Sequence, residues 1–261
     1  MDCVIGLQPV ILRGIYQQRH IYIFIMEGIK HISFDLWYTL IQSDHSYKPK
    51  RDQLFKDTFQ VARSLEEINT QFKYFDILIN AINEKTGGQG TFHEIYYHLL
   101  AALGVDIRQV HTEQLDAYYA ATEKLFFQHR PTLIDPETPA LFQDLRDMGY
   151  TISLLSNTAY IPGATLRQLM PEWGIDGYFD FQLYSDEEGT SKPAAKFYQL
   201  MFDRVNKMYP VTKEQILHVG DNPIADVKGG SNFGVKTLLL PPDTTLSALL
   251  RPVFRKATAV K

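Results

Sequence analysis

From residue 134 onward, short runs of β-branched and aromatic residues alternate with amphipathic stretches, and several runs stop at a small or acidic polar residue. This alternation constrains the fold more than any other feature. Strands separated by helices return in the same direction and build a doubly wound α/β parallel sheet. Tyr150–Leu155 reads as a strand ending at Ser156-Asn157, and Ile216–Val219 as one ending at Gly220-Asp221. Tyr178–Leu183 and Val235–Leu240 complete the series. Helices are expected over Pro139–Met148, Ala164–Met170, Ala194–Met208 and Ile224–Gly230. An earlier run, Ile29–Phe34, has the same character and ends at Asp35.

Between that first strand and the rest lies a segment with helical spacing and no strand pattern. Phe55, Phe59 and Ala62 recur at three and four residues, as do Phe72, Phe75, Ile79 and Ile82. Ile95, Leu99 and Leu103 follow, then Leu115, Tyr118, Ala121 and Leu125, with Thr86-Gly87-Gly88 and Gly104 as punctuation. The expected layout is an N-terminal extension over 1–28, a core from 29–44 and 134–261, and a helical insert over 45–133. The first 25 residues are apolar but broken by Arg13, Gln17, Gln18, Arg19 and His20, which fits neither a membrane span nor a signal peptide. Met26 is the expected start of the folded protein.

Composition narrows the function classes. A net charge of −4 provides no basic field for nucleic acid, and 45% hydrophobic with 21% charged residues is ordinary for a globular protein. Cys3 is the single cysteine, so neither an internal disulfide nor a cysteine zinc site is available, in keeping with a cytoplasmic protein. No role for membranes is expected either.

In an open parallel sheet, ligands gather where the strands end. Asp35, Ser156, Asn157 and Asp221 all stand at such ends. Here the sequence resembles the haloacid dehalogenase-like superfamily. Ile32-Ser33-Phe34-Asp35-Leu36-Trp37-Tyr38-Thr39-Leu40 is similar to its first motif, and Leu154-Leu155-Ser156-Asn157 to its second. Lys192-Pro193 before a helix is similar to the third, and Val219-Gly220-Asp221-Asn222-Pro223-Ile224-Ala225-Asp226 to the fourth. All four occur in order, with a helical insert where many members carry a cap, over about 29–240.

The resemblance implies a Rossmann-like core, Mg²⁺ as cofactor and a small phosphorylated substrate. Asp35 would be the nucleophile, since a carboxylate can take a phosphoryl group and divide one hard step into two. Asp35, Asp221, Asp226 and the backbone carbonyl of Trp37 would hold Mg²⁺, a hard cation suited to oxygen ligands. Ser156 would hydrogen-bond a phosphoryl oxygen, and Lys192 would neutralise charge on Asp35 and the phosphoryl group. Asn157 and Thr39 fall on the substrate side, Thr39 chiefly as a brace for the loop around Asp35.

One position departs from the phosphatase pattern. Phosphatase members usually carry a second Asp two residues after the nucleophile to protonate the leaving group, and here that residue is Trp37. Three readings follow. The first is a phosphatase or phosphotransferase for leaving groups that need little protonation, or one in which Asp44, His45 or a carboxylate of the insert replaces the shuttle. The second is a 2-haloacid dehalogenase, whose pattern Thr39, Ser156, Lys192 and Tyr198 also fit, with Arg51 and Arg63 as candidates for the substrate carboxylate. The third is a degenerate site that binds without turnover. Tyr96, Tyr97, Tyr118 and Tyr119 are candidates for a pocket lining, although core packing suits their helical spacing better.

Overall fold

The computed structural model describes residues 27–257. The extension expected over 1–25 and the proposed start at Met26 lie outside the described residues. Five strands form one parallel sheet: β1 (His31–Phe34), β4 (Thr151–Ser156), β5 (Phe181–Tyr184), β6 (Ile216–Gly220) and β7 (Lys236–Leu239). Their spatial order is β5-β4-β1-β6-β7. His31 stands beside Thr151 on one side and Ile216 on the other. From β1 the chain eventually returns to β4, whereas from β6 it turns the other way to β7. The order therefore reverses between β1 and β6, which makes that crevice the switch point of the sheet.

Side-chain alternation explains the two covered faces. Ile32 and Phe34, Ile152 and Leu154, and Leu217 and Val219 point to one face. There they pack with Leu141, Phe142, Leu250 and Phe254 from the helices Thr138–Asp147 and Leu246–Ala257. Leu155, Leu183 and Ile216 point to the other face, against Phe197, Tyr198, Met201 and Phe233. At the centre of this second face the chain departs from the apolar pattern. His31 Nε2 lies 2.8 Å from Ser153 Oγ, and His218 Nδ1 lies 3.1 Å from Ser33 Oγ. These buried polar groups satisfy one another, which removes most of the penalty for placing them in a core.

Between Asp35 and β4 the chain makes two short antiparallel strands, β2 (Ile41–Gln42) and β3 (Thr132–Leu133), with Ile41 opposite Leu133. The regular structure between them is helical: Tyr47–Thr58, Leu65–Thr86, Phe92–Ala102 and Thr112–Gln128, with a 3₁₀ turn at Ile107–Gln109. Ser64 and Thr91 begin two of these helices with reciprocal caps to Glu67 and Glu94, which satisfies otherwise free backbone donors. The helices enclose their own apolar cluster. Phe55, wholly buried, meets Phe59, Phe72, Tyr96 and Tyr118 at ring distances of 5.0, 5.2, 6.2 and 5.5 Å. The first helix stops at Thr58 rather than running on to Ala62. Gln60 takes φ 51°, and Lys56 Nζ caps the carbonyls of Val61 and Arg63.

Among the described residues, no helix is long and apolar enough to cross a membrane.

Candidate active site

The strand ends carry the charged groups to one point. Asp35 leaves β1 and its backbone N–H bonds to Val219 O of β6 at 2.9 Å. The chain then doubles back: Leu40 N and Ile41 N both bond to Leu36 O, at 2.8 and 3.0 Å, with Tyr38 at φ 58°. This tight loop brings Thr39 Oγ1 to 3.4 Å from Asp35 Oδ2 and keeps Thr39 buried. Beyond β6, a π-helical turn over Pro223–Lys228 swings Asp226 back against the strand it followed. A Cβ on Gly220 would collide with the Asp226 carboxylate, so only glycine at this strand end admits that carboxylate.

Asp35, Asp221 and Asp226 each offer a carboxylate oxygen, and these three oxygens lie within 4.8 Å of one another. Lys192, 1% exposed, enters this group from the segment before the helix Ala195–Met208. Its Nζ donates to Asp35 Oδ1 at 2.6 Å and to Asp226 Oδ1 at 2.7 Å. Asn157 fixes that lysine through the backbone: Lys192 N donates to Asn157 Oδ1 at 2.8 Å, and Asn157 Nδ2 donates to Lys192 O at 2.9 Å. Ser156 is fully buried, its Oγ 3.3 Å from Asn157 O, and it is not part of the cavity wall described below.

The electrostatics follow from three carboxylates and one ammonium in a buried place. Burial pushes the Asp35 carboxyl up. Lys192 opposes that shift, while Asp226 and Asp221 add to it. Burial, and then the neighbouring Asp226, push Asp221 up as well. For Asp226, burial acts in the same direction but is outweighed by Lys192 and by the His218 hydrogen bond, so its carboxyl is held low. Burial would lower the Lys192 ammonium, yet Asp226 and Asp35 keep it raised. Asp226 is closely held: Oδ1 accepts from Lys192 and from His218 Nε2 at 3.0 Å, and Oδ2 accepts from Asn222 N at 2.9 Å. Burial lowers the His218 imidazole, whose Nε2 faces Asp226 Oδ1 and whose Nδ1 lies 3.1 Å from Ser33 Oγ. Neither His218 nor this polar line beneath the site was legible in the sequence. His218 sits inside an apolar strand, and its partner is set by tertiary contact alone.

A cavity of about 320 Å³ opens over these groups. Its floor is Asp35, Asn157, Lys192, Asp221 and Asp226, and its roof comes from the helical insert, including Lys48, Arg51, Phe72 and Asp76. Trp37 lies on the wall with its ring 6.4 Å from that of Phe126. Insert and core also touch directly. Asn222 Nδ2 donates to Glu84 Oε1 at 3.2 Å, Gln89 Nε2 to Thr158 O at 2.9 Å, and Ser191 Oγ to Gly88 O at 2.8 Å.

Several other expected residues lie elsewhere. Tyr96 and Tyr118 are buried in the apolar cluster of the insert, with Tyr97 and Tyr119 packed against it, and none reaches the cavity. Arg63 is exposed and pairs with Glu67 on the surface. Asp44 accepts from Ser46 N at 2.7 Å, His45 is exposed, and neither lines the cavity. Tyr198 braces the site from below, donating to Ala225 O at 2.8 Å.

Comparison with known proteins agrees with this architecture. Residues 29–234 match the family model described as haloacid dehalogenase-like hydrolase. Ribulose-1,5-bisphosphate 5-phosphatase of Halopiger xanaduensis is 28% identical over 181 residues, 64% of this chain and 68% of that one. Phosphoserine phosphatase of Thermus thermophilus is 29% identical over 134 residues, 49% of this chain and 51% of that enzyme. Among solved structures, magnesium-bound YfnB of Bacillus subtilis superposes with a TM-score of 0.66 at 17% identity, covering 87% of this chain and 99% of that one. At that identity the likeness concerns the fold.

Proposed function

The chain belongs to the haloacid dehalogenase-like hydrolases, and from that premise we propose that it is a cytoplasmic, magnesium-dependent phosphohydrolase acting on a small phosphorylated metabolite through Asp35. The observation that carries this reading is the convergence of Asp35, Asp221 and Asp226 around Lys192. Three carboxylates against one ammonium leave an unmet demand for positive charge, and burial raising both Asp35 and Asp221 expresses the same demand. A hard divalent cation with oxygen preference fits this donor set. Asp35, Asp221 and Asp226 would hold it, with the backbone carbonyl of Trp37. When bound, it would neutralise charge on the phosphoryl oxygens. The relatives named for phosphatase activity support the same reaction class.

The residues of the chain then divide the work. Lys192 fixes Asp35 Oδ1, which leaves Oδ2, carrying only the long Thr39 contact, as the freer oxygen for attack on phosphorus. A P–O bond forms to Asp35, and the ester oxygen departs with its electron pair. Water then attacks the aspartyl phosphate, which releases inorganic phosphate and restores the carboxylate. Asn157 holds Lys192 in register, whereas Ser156, buried outside the cavity wall at the end of β4, is left without a substrate role. The insert over 45–133 acts as a cap that excludes water. Trp37 has no proton to give, so aryl and acyl phosphates, whose leaving groups depart as weak bases, are the favoured substrates. A carboxylate substrate, as a 2-haloacid dehalogenase would need, meets Asp221 and Asp226 at this site and is disfavoured by their charge.

The test is phosphate and halide release from aryl, acyl and alkyl phosphates and from 2-haloacids, each with and without Mg²⁺. Magnesium-dependent phosphate release, fastest for aryl and acyl esters, is expected. Metal-independent halide release with no phosphatase activity would assign the chain to dehalogenases, and no turnover of any kind would leave a binding protein.

A further inference from the structure

The roof of the cavity carries positive charge that the phosphoryl chemistry does not use. Arg51 is 6% exposed, yet it lines the cavity. Its guanidinium lies 3.7 Å above the Phe72 ring and 5.7 Å from the Tyr160 ring. Nε and Nη2 both donate to Asp52 Oδ1, at 2.9 and 2.6 Å, and Asn69 Nδ2 donates to Asp52 Oδ2 at 2.8 Å. Asp52 is thereby occupied on both oxygens, while Nη1 of Arg51 makes no hydrogen bond to any described residue. Tyr160, on the same cavity wall, buries a hydroxyl that has no partner. Lys48 and Lys73 also line this wall and form no ion pair with any described residue. Together with Arg51 they are three cations; the insert carboxylates near them are Asp52, which Arg51 engages, Asp76, and Glu84, which accepts from Asn222. A guanidinium held flat by an aromatic face and oriented by a saturated carboxylate is pre-organised to receive oxygen anions. A buried polar group left unpaired in a ligand cavity is the mark of a partner that arrives with the ligand.

We infer that the substrate is a phosphate monoester carrying a second anionic group, a carboxylate or another phosphate, on its leaving group, and that Arg51, Lys48 and Tyr160 receive it. Resting on the phosphohydrolase reading, this inference names the substrate class of the same site. The cavity is at the small end of ligand pockets, about 300–1,000 Å³ in general, which suits a metabolite of a few carbons bridging roof and floor.

Binding separates this inference from turnover. In the Asp35→Asn protein, which cannot form the aspartyl phosphate, calorimetry with Mg²⁺ present compares 3-phosphoglycerate with glycerol 3-phosphate. It also compares ribulose 1,5-bisphosphate with ribulose 5-phosphate. The two pairs distinguish carboxylate from phosphate as the second anion. At least one anion-bearing member should bind about tenfold or more tightly than its partner, as charge-assisted hydrogen bonds to a buried arginine require. Adding Lys48→Met or Arg51→Met should narrow that ratio to below about threefold, on the same scale of charge-assisted bonds. Lys48 is part-exposed, so its variant reads the ratio even where loss of Arg51 unfolds the insert. Equal affinities within both pairs, or a preference that survives both substitutions, would overturn the assignment. Failure of wild-type protein to release phosphate from any ester would instead overturn the hydrolase chemistry and leave these binding ratios to judge the roof on their own.

Discussion

Replacing Lys192 with methionine removes the one ammonium from a buried group of three carboxylates. Lys192 Nζ lies 2.6 Å from Asp35 Oδ1 and 2.7 Å from Asp226 Oδ1, with the lysine side chain 1% exposed. At an effective dielectric of about 20, one such contact attracts by roughly 6 kcal/mol. Desolvation of the ammonium returns much of this, and removing one member of a buried ion pair costs about 3–5 kcal/mol net. For a chain of this size that corresponds to a fall of about 6–20 °C in melting temperature, at roughly 2–4 °C per kcal/mol. The sign with pH follows from linkage. Without Lys192 the carboxyls titrate higher in the folded than in the unfolded state, where they titrate near 4. A raised acid costs nothing below the unfolded value, and its penalty grows as pH rises from there until it levels off above the folded one. The loss should therefore be smaller at about pH 4 than at about pH 8, keeping at pH 4 the part that Lys192 contributes by holding Asp226 ionised in the wild type. Thermal unfolding of wild type and Lys192→Met across that range, with and without Mg²⁺, is the assay. Added Mg²⁺ should restore part of the stability at high pH, since a ligand of the folded state stabilises by mass action. A loss below about 1 kcal/mol at pH 8, within the range of ordinary surface substitutions, or one that does not change with pH, would refute the charge argument.

Asp226→Asn should weaken Mg²⁺ binding about tenfold or more by calorimetry, because charge on the ligand set governs affinity for a hard cation; unchanged affinity would remove the metal from the reaction. Wild-type protein should hydrolyse aryl and acyl phosphates well ahead of alkyl phosphates in steady-state assays. Trp37→Asp should raise the alkyl rate by about tenfold or more, part of the ~10²–10⁴ that a placed acid–base group supplies; equal wild-type rates on both classes would mean that another group gives the proton. Phe55→Ala, which empties the centre of the apolar cluster in the insert, should lower unfolding free energy by about 3–5 kcal/mol in urea titrations, and a loss under about 1 kcal/mol would show that the cluster closes over the gap.

The sheet was legible because each of its strands is a short apolar run, most of them closed by a polar or turn residue. The expected strands match the observed ones to within three residues at their starts. β2 and β3 were not legible, since two residues carry no periodicity. The helix Leu246–Ala257 was missed although Leu246, Leu249, Leu250 and Phe254 have helical spacing, because Pro252 interrupts the pattern. At the site, Asp35 and Asp221 could be read because a parallel sheet sends its strand ends to one edge, and Lys192 and Asp226 only through the resemblance of the motifs that hold them. Arg51 could not be separated from Arg63 by sequence, since both occur in amphipathic surroundings. Only tertiary packing buries the first over Phe72 and leaves the second beside Glu67 in solvent. The polar residues His31, Ser33, Ser153 and His218 were invisible for the same reason, since each is paired across strands rather than along the chain.

The pairing of Ile41–Gln42 with Thr132–Leu133 has an evolutionary consequence. The chain leaves the sheet domain and re-enters it through a single doorway, so everything between those strands can be lengthened, shortened or exchanged without re-threading a strand. The groups proposed to break bonds and those inferred to recognise substrate thus sit on separately inheritable pieces: Asp35, Lys192, Asp221 and Asp226 on one, Lys48 and Arg51 on the other. A lineage can retarget such an enzyme by grafting a new insert between residues 42 and 132 while the hydrolytic apparatus passes down unchanged.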